Sequence, residues 1–264
     1  MKLKTNVAAK ILGGLSFLIY FFLWAPVIVI IVFSFSGNKY GTSWDGFTLK
    51  WYAELFNNVA VKDALVRSLV VASITVIVST IIGTITGYGL YKLHFRGKQF
   101  LRTSILLPIV FPSVVTGSAL LVFFTRFFQI PLGYPSIIIA HIVFSSPLAV
   151  FVILGRMQRF DWSWEEAAMD LGATRFRTFL RVTGPMLLPA IAASAMLIFP
   201  WSFDDFVITY FVAGIGSTTL PIYVFSQLRF GATPVINTIG TLFVVLTMAA
   251  LALMYFVQKK NESI

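Results

Sequence analysis

Two adjacent acidic residues, Asp204 and Asp205, interrupt a long apolar stretch of the chain, and aromatic residues flank them. They follow Pro189 by about 15 residues, which is roughly 23 Å along a helix at 1.5 Å per residue. An ionised carboxylate inside a bilayer costs about 2.5 kcal/mol or more unless it is paired or hydrated. Carboxylates beside aromatic rings attract ammonium groups by charge and by cation–π contacts. We therefore expect a cation pathway, with a helix end at the outer water interface as the alternative. Its candidate residues are Asp204, Asp205, Trp201 and Phe203.

A second segment that could do chemistry, 156–185, separates two apolar stretches and carries both acidic and basic residues. Ser163 and Glu166 fit a capping box, which predicts a helix beginning near Trp164. Gly172 is typical of a left-handed helix end. The 156–185 loop is therefore expected to be structured rather than an irregular connection.

A second short helix of the 156–185 loop is predicted to begin near Thr174. Its apolar face consists of residues at helical spacing, namely Phe176, Phe179 and Leu180. The small side chains of Ala167 and Ala168 leave room for the backbone of another protein to approach. The pattern of two short helices that meet at a glycine therefore predicts a compact protrusion that docks in a groove of a partner protein.

The composition disfavours a soluble protein. Of the 264 residues, 58% are apolar and 11% are charged, against about 45–50% and about 25% in a typical soluble domain. Cysteine is absent, which excludes disulfides and thiolate sites. The 2 histidines, His94 and His141, are far apart, which disfavours a histidine-rich metal site. We expect a membrane protein, because too little polar surface remains to cover a water-exposed globule. We also expect no metal centre.

Stretches without Asp, Glu, Lys or Arg are long enough to cross a bilayer as helices of about 20 residues. They predict an all-α polytopic membrane protein that forms one domain over residues 1–264. The six predicted transmembrane helices are 11–33, 68–91, 103–126, 134–155, 186–212 and 236–257. Residues 206–228 are also free of charge, but their glycines and Pro221 favour the outer end of the fifth span followed by a loop. A seventh helix is the alternative.

The distribution of basic residues predicts the orientation. The net charge is +10, and 14 of the 20 Lys and Arg residues fall on one side of the six predicted spans. By the positive-inside rule that side is cytoplasmic, which places both termini and the 156–185 loop in the cytoplasm. The basic charge therefore indicates orientation in membrane lipid, and no nucleic-acid partner is expected.

Prolines are predicted to break three consecutive spans, at 108–112, Pro147 and Pro200. Breaks at membrane depth are tolerated where they face protein or a water-filled cavity. Three neighbouring breaks therefore favour a shared interior path, with packing kinks as the alternative. Gly83 and Gly87 are typical of a close contact between helices.

The segment 34–67 after the first predicted span is rich in aromatic residues. We interpret them as an interfacial belt, with docking of a partner protein as the alternative. They are Tyr40, Trp44, Phe47, Trp51 and Tyr52.

The sequence has no nucleotide-binding loop of its own. The motif G-x-x-x-x-G-K-[ST] requires Ser or Thr after Gly-Lys, but Gly97 and Lys98 are followed by Gln99. No internal repeat is visible, which disfavours a self-contained channel or secondary transporter. A membrane enzyme would need a nucleophile and a base, and His141 with Ser145 has the helical spacing for such a contact. A buried histidine that bonds to a neighbouring helix is the favoured alternative.

The 156–185 loop resembles the EAA loop of ABC-importer permeases. That pattern is Glu-Ala-Ala, three residues, Gly, nine residues and Ile-x-Leu-Pro. The chain matches it at Glu166, Ala167, Ala168, Gly172 and Pro185. Val182 replaces Ile, and Gly184 replaces Leu. The resemblance implies a type I ABC-importer permease fold with six spans and a coupling helix that docks in a cleft of a cytoplasmic ATPase. The coupling residues it implies are Glu166, Ala167, Ala168, Asp170 and Gly172.

Further segments are similar to the C-type permease subunit of spermidine/putrescine importers, namely 46–52, 95–98, 168–173, 202–205 and 220–221. The resemblance implies polyamine substrates delivered by an extracytoplasmic binding protein. It also implies a second homologous permease and an ATPase homodimer that holds ATP and Mg²⁺, with no cofactor in this chain. The chain would then be a bacterial inner-membrane transport subunit and not an enzyme. An ABC-importer permease for another organic solute is the alternative.

Overall fold

The computed structural model describes residues 2–39, 43–229 and 234–262. These residues form twelve α-helices and two π-helical turns, and Ser36 and Phe47 pair in an isolated β-bridge. The helices are α1 (Lys2–Phe33), α2 (Lys50–Asn57), α3 (Val59–Lys92), α4 (Lys98–Val110), α5 (Ser113–Val122), α6 (Tyr134–Met157), α7 (Ser163–Asp170), α8 (Arg175–Thr178), α9 (Gly184–Phe203), α10 (Val207–Val212), α11 (Leu220–Arg229) and α12 (Pro234–Glu262). The π-helical turns are Phe123–Phe127 and Phe179–Thr183. The predicted all-α fold class is confirmed.

Four of the described helices are long and apolar enough to cross a membrane. They lie in α1, α3, α6 and the continuous stretch Arg175–Phe203, which joins α8 to α9. The pair α4 and α5 adds a fifth if the two count as one bent span. The last predicted span, 236–257, falls in α12, where the apolar part found among the described residues, Pro234–Ala249, is shorter than a span. The count of six stays a prediction.

The chain divides into two compact units, one made of Met1–Lys62 with Val224–Ile264 and the other of Asp63–Tyr223. In the first unit, α12 packs against α1 and α2. A Cβ atom on Gly240 of α12 would lie 3.2 Å from Cγ2 of Ile30 of α1. The glycine therefore allows these two apolar helices to approach closely.

The segment between α1 and α2 is folded by contacts within the first unit. The indole N–H of Trp51 donates a 2.7 Å hydrogen bond to the carbonyl of Ser36, and Trp51 is buried. Trp44 and Phe47 are exposed. Trp51 therefore serves the packing of the segment rather than an interfacial belt, and Tyr40 lies outside the described residues.

Helix α6 is the centre of the second unit, where it packs against α4, α9 and α10. Helix α10 packs in turn against α5. Two groups of buried apolar residues form the core of this unit. One contains Val71, Phe124, Ile137, Phe144, Ile208 and Val212, and the other contains Ile153, Met157, Leu187 and Ala190. Because α6 contributes to both groups, it positions the segments on either side of Asp204 and Asp205.

Two glycines of α3 contact α6. A Cβ atom on Gly83 would overlap Ala149, and one on Gly87 would lie 2.8 Å from Cγ2 of Ile153. Only a residue without a side chain lets the two helices approach to this distance. The predicted close contact between helices is confirmed.

The third predicted span, 103–126, is broken as its prolines indicate. Helices α4 and α5 meet at an angle of 105°. Phe111, directly before Pro112, is extended, with φ −71° and ψ 140°, because the proline ring disfavours the helical region for the preceding residue. Pro147 lies inside the uninterrupted helix α6. The prediction of a break there is wrong, because the neighbouring helices keep α6 continuous through the proline.

The fifth predicted span, 186–212, is interrupted as expected, although the break comes after Phe203 rather than at Pro200. Helix α9 ends at Phe203, three residues after Pro200, and α10 begins at Val207. The carboxylate of Asp205, which precedes the N-cap Phe206, accepts the backbone N–H of Thr209 at 2.8 Å. It therefore pairs one of the free N–H groups in the first turn of α10 and stabilises the interruption. Helices α10 and α11 are each too short to cross a bilayer, which disfavours the seventh span considered for 206–228.

Candidate functional site

A cavity of about 180 Å³ in the second unit lies between the broken pair α4 and α5 and the interruption that follows α9. We call it the Asp205 cavity. Its aromatic lining residues are Phe111, Phe144 and Trp201, and its polar ones are Ser113, Thr116 and Asp205. The lining therefore combines an acidic residue, two hydroxyl-bearing residues and three aromatic residues around one small volume.

The carboxylate of Asp205 is held in place by α10 and α6. Its Oδ2 accepts the hydroxyl of Thr209 at 2.9 Å as well as the backbone N–H of the same residue at 2.8 Å. Nε2 of His141 lies 3.5 Å from the same oxygen. The Asp205 side chain is 12% exposed, so it is largely enclosed but still reaches the cavity that it lines. Such a carboxylate can receive a cation without first changing its position.

The imidazole of His141 connects three segments behind the Asp205 cavity. It is 1% exposed, and its Nδ1 lies 2.7 Å from the hydroxyl of Ser202. Its Nε2 lies 2.8 Å from the hydroxyl of Thr209. Because Thr209 gives its one hydroxyl proton to Asp205, Nε2 carries a proton and donates to Thr209. The preferred interpretation of His141 as a buried, hydrogen-bonded residue is confirmed.

The pair of His141 and Ser145, considered for an enzyme, does not form. Both imidazole nitrogens bond to other residues, and the buried hydroxyl of Ser145 has no hydrogen-bond partner. A base that does not contact the hydroxyl cannot take its proton.

Only two of the four predicted pathway residues meet at the cavity. Trp201 is 53% exposed and lines it together with Asp205. Asp204 is exposed and follows the end of α9, where its backbone N–H bonds to the carbonyl of Pro200. The ring of Phe203 stacks on Phe199, with ring centroids 5.7 Å apart. Asp204 and Phe203 are not among the residues that line the cavity.

Sequence reasoning missed the contribution of the broken pair α4 and α5 to the cavity. Phe111, Ser113 and Thr116 lie around the turn at Pro112 and line the same cavity as Asp205. The proline was a visible signal of a break, but it did not indicate which residues the break would bring to the carboxylate.

The 156–185 loop contains the first predicted helix as α7, which begins at Ser163. The predicted capping box is wrong. Trp162 is the N-cap, and the carboxylate of Asp161 accepts the backbone N–H of Ser163 at 3.1 Å. Glu166 is therefore left exposed instead of reaching back to the chain. Gly172 has φ +84°, so the predicted left-handed end of the helix is confirmed.

The second predicted helix of the 156–185 loop begins at Arg175, after Thr174 as its N-cap. The hydroxyl of Thr174 accepts the backbone N–H of Arg177 at 3.4 Å. Instead of ending as a separate short helix, α8 continues through a π-helical turn into α9. The loop is therefore joined directly to the helix that ends beside the Asp205 cavity.

The residues of the EAA pattern lie mainly on the outer side of the loop. Glu166, Ala167, Asp170 and Gly172 are exposed, and Ala168 is half-buried. The neighbouring Leu171 is 90% exposed. The sequence predicts Glu165 in the first turn of α7 but does not indicate that it is buried against Lys92, with which it forms a 2.6 Å ion pair.

A model of the family described as the inner membrane component of binding-protein-dependent transport systems matches residues 79–262. The matched region contains both the 156–185 loop and the whole lining of the Asp205 cavity. The chain belongs to this family. It is a multi-pass inner-membrane permease subunit of an ABC importer, and a transport subunit rather than an enzyme.

Particular relatives are permeases of polyamine transport systems. The chain is 35% identical to the spermidine/putrescine transport system permease protein PotC of Haemophilus influenzae, over 93% of this chain and 95% of that one. It is 36% identical to PotC of Escherichia coli K12, over 89% of each chain. It is 40% identical to the putrescine transport system permease protein PotI of the same organism, over 84% of this chain and 81% of that one.

Solved structures share the fold. A chain of a bacterial ABC transporter involved in the import of the acidic polysaccharide alginate has a TM-score of 0.72 and 16% identity, with 96% of both chains covered. A chain of an amino acid ABC transporter with histidines has a TM-score of 0.54 and 17% identity, with 79% of this chain and 98% of that one covered. These likenesses support the type I permease fold and carry no information on the solute.

Proposed function

We propose that the chain forms half of the pathway by which an ABC importer carries polyamines of the spermidine/putrescine class across the inner membrane. The observation that carries the solute class is the Asp205 cavity. A carboxylate that is largely enclosed, beside an exposed tryptophan ring, suits an ammonium group, which gains from both charge and cation–π attraction. The names of the relatives point to the same class of solute.

In this proposal an extracytoplasmic binding protein releases the solute above two homologous permeases, of which this chain is one. Asp204 is exposed and attracts the cation at the entrance, and Asp205 and Trp201 then contact one of its ammonium groups together. Phe203 supports the entrance through its stack on Phe199. Several weak contacts in series suit transport, because binding must be strong enough for entry and weak enough for release.

An ATPase homodimer supplies the energy in this proposal, and it holds ATP and Mg²⁺, so this chain needs no cofactor of its own. It docks on the exposed side of the 156–185 loop, at Glu166, Ala167, Ala168, Asp170 and Gly172. The loop and both termini then lie in the cytoplasm, in agreement with the excess of basic residues on that side. Two arrangements of the helices that differ by a few kcal/mol are sufficient for alternating access.

The test is uptake of labelled spermidine by proteoliposomes that contain the chain with its cognate ATPase, second permease and binding protein. We expect uptake that requires ATP and that unlabelled putrescine inhibits. The double variant Asp204→Asn with Asp205→Asn should lose most of it. Asp63→Asn, which removes an exposed carboxylate 3.8 Å from Arg67, is the matched control and should leave uptake unchanged.

Two results would contradict the proposal in different ways. Equal spermidine uptake by the double aspartate variant would refute the assigned contacts of Asp204 and Asp205 with the solute. Uptake by this chain alone, without nucleotide, would refute the dependence on an ATPase and favour a self-contained channel.

A further inference from the structure

Glu165, directly before Glu166 of the EAA pattern, is enclosed within the chain. Of the acidic residues whose side chains the structure describes, it alone is buried, with 2% exposure. Nζ of Lys92, the last residue of α3, lies 2.6 Å from its Oε2. The hydroxyl of Thr183, in the π-helical turn before α9, donates to its Oε1 at 2.5 Å. Glu165 therefore joins α7 to the ends of two membrane helices.

The same end of α3 also holds the segment that precedes α7. The rings of Tyr91 and Trp162 stack with centroids 5.0 Å apart. Nζ of Lys92 lies 4.3 Å from the centroid of the Trp162 ring, and Phe160 packs against that ring at 4.7 Å. The ammonium group of Lys92 is held between a carboxylate and an aromatic ring, so α7 has little freedom to move without α3.

An ion pair with one buried member fixes geometry more than it stabilises the fold. The carboxylate of Glu165, which is 3% exposed, loses its water on burial, whereas the side chain of Lys92 is 37% exposed. The cost of dehydrating the carboxylate offsets much of the attraction, so the pair adds little net stability. Its short charge-assisted hydrogen bonds do hold the joined groups in one arrangement. Removing Lys92 alone leaves the buried carboxylate of Glu165 uncompensated, which is costly. Removing Glu165 alone leaves an ammonium group that water still reaches.

We propose that the ion pair of Lys92 and Glu165 is the joint through which movement of the 156–185 loop reaches α3 and α9. The inference rests on the proposed docking of an ATPase on this loop. The exposed side of α7, with Glu166, receives the partner, and the buried side passes the displacement to two membrane helices. Lys92 and Glu165 are therefore positioning residues for transport driven by ATP, and neither contacts the solute.

The test measures spermidine imported per ATP hydrolysed, in the reconstituted complex. Glu165→Gln and Lys92→Met should each lower this ratio by roughly 2- to 30-fold, the range found for residues that couple distant sites. The decisive variant combines both changes. Lys92→Met alone leaves Glu165 as a lone buried charge and should lower the amount of assembled complex. The double variant removes that charge, so the amount of complex should return to the wild-type level, whereas the ratio should stay low. A merely structural role predicts that both recover together.

Controls keep the outcome interpretable. Thr183→Val and Tyr88→Phe each remove one hydrogen bond to Glu165 and leave the ion pair in place. They should lower the ratio less, and they replace the single charge variants if those fail to assemble. Assembled complexes of all these variants with the wild-type ratio would overturn the inference. A wild-type complex that does not import spermidine with ATP would instead refute the proposed function.

Discussion

Two pairs of adjacent acidic residues stand out, one beside the Asp205 cavity and one in the 156–185 loop. In each pair one side chain is held by contacts within the chain and the other is exposed. At the cavity the held residue is Asp205, which lines the site, while Asp204 is exposed outside the lining. In the loop the held residue is Glu165, which is enclosed by the chain, while Glu166 is exposed. The same arrangement of two carboxylates therefore occurs in two very different surroundings.

The difference between the two pairs shows that the surroundings of each carboxylate determine what it can bind or transmit. Asp205 keeps 12% of its side chain exposed, so a ligand can reach it. The side chain of Glu165 is 3% exposed, and its partners all lie within the chain. It can therefore transmit a displacement between helices but cannot bind a ligand. Glu166 is exposed and suits contact with another protein. Substitutions at the two pairs should therefore separate docking, solute binding and coupling.

The largest expected effect is at the exposed member of the loop pair. Glu166→Lys reverses a charge on the proposed docking surface, and a like charge placed opposite a complementary partner costs several kcal/mol. We expect loss of ATP-driven uptake and of copurification with the ATPase. Glu54→Lys, the same change at an exposed residue of α2, should leave copurification intact. Normal uptake by Glu166→Lys would remove the distinction between the two members of the loop pair.

The next effect separates the two aspartates. Asp205→Asn removes the charge that lines the cavity, and a hydrogen bond to a charged group contributes about 1.5–3 kcal/mol, or roughly 10- to 100-fold in affinity. We expect KM for spermidine uptake to rise by that factor, because the ammonium group loses its partner. Asp204→Asn should raise KM less, since its carboxylate lies outside the cavity. A larger effect at Asp204 would reverse the assignment of held and exposed roles at the cavity.

Local sequence signals predicted the 156–185 loop well. Gly172 has the expected positive φ, and α7 begins within one residue of the predicted position. These features depend on residues near in sequence, which a local pattern can indicate. The capping box failed because Asp161, two residues before Ser163, offers a competing carboxylate.

The Asp205 cavity could not be predicted in the same way. The prolines indicated a break in the third span, but they did not indicate that α5 packs against α10, next to Asp205, so that Thr116 and Asp205 line one cavity. His141 meets Ser202 and Thr209 across 61 and 68 residues of sequence. Glu165 was missed for the same reason, because Lys92 lies 73 residues before it. Contacts of this range are set by tertiary packing.

A smaller effect concerns the geometry of the loop alone. Gly172→Ala places a Cβ atom at φ +84°, and a left-handed conformation costs roughly 1–2 kcal/mol for a residue with a side chain. We expect a lower thermal unfolding midpoint and weaker stimulation of the ATPase by binding protein, with KM for spermidine unchanged. Gly172→Asn is the matched variant and should lose less, because Asn tolerates this conformation. A change in KM for spermidine would show that the loop and the cavity are not separable.

The smallest effect is at the aromatic wall of the cavity. Trp201→Leu keeps an apolar side chain but removes the π face, and cation–π attraction at a partly exposed ring contributes about 0.5–1 kcal/mol, or roughly 2- to 5-fold in affinity. We expect KM for spermidine to rise by this factor, while Trp201→Phe should retain part of the attraction. Combined with Asp205→Asn, the two effects should not add fully, because both residues contact the same ammonium group. Strict additivity would mean that the ring and the carboxylate act on different parts of the solute.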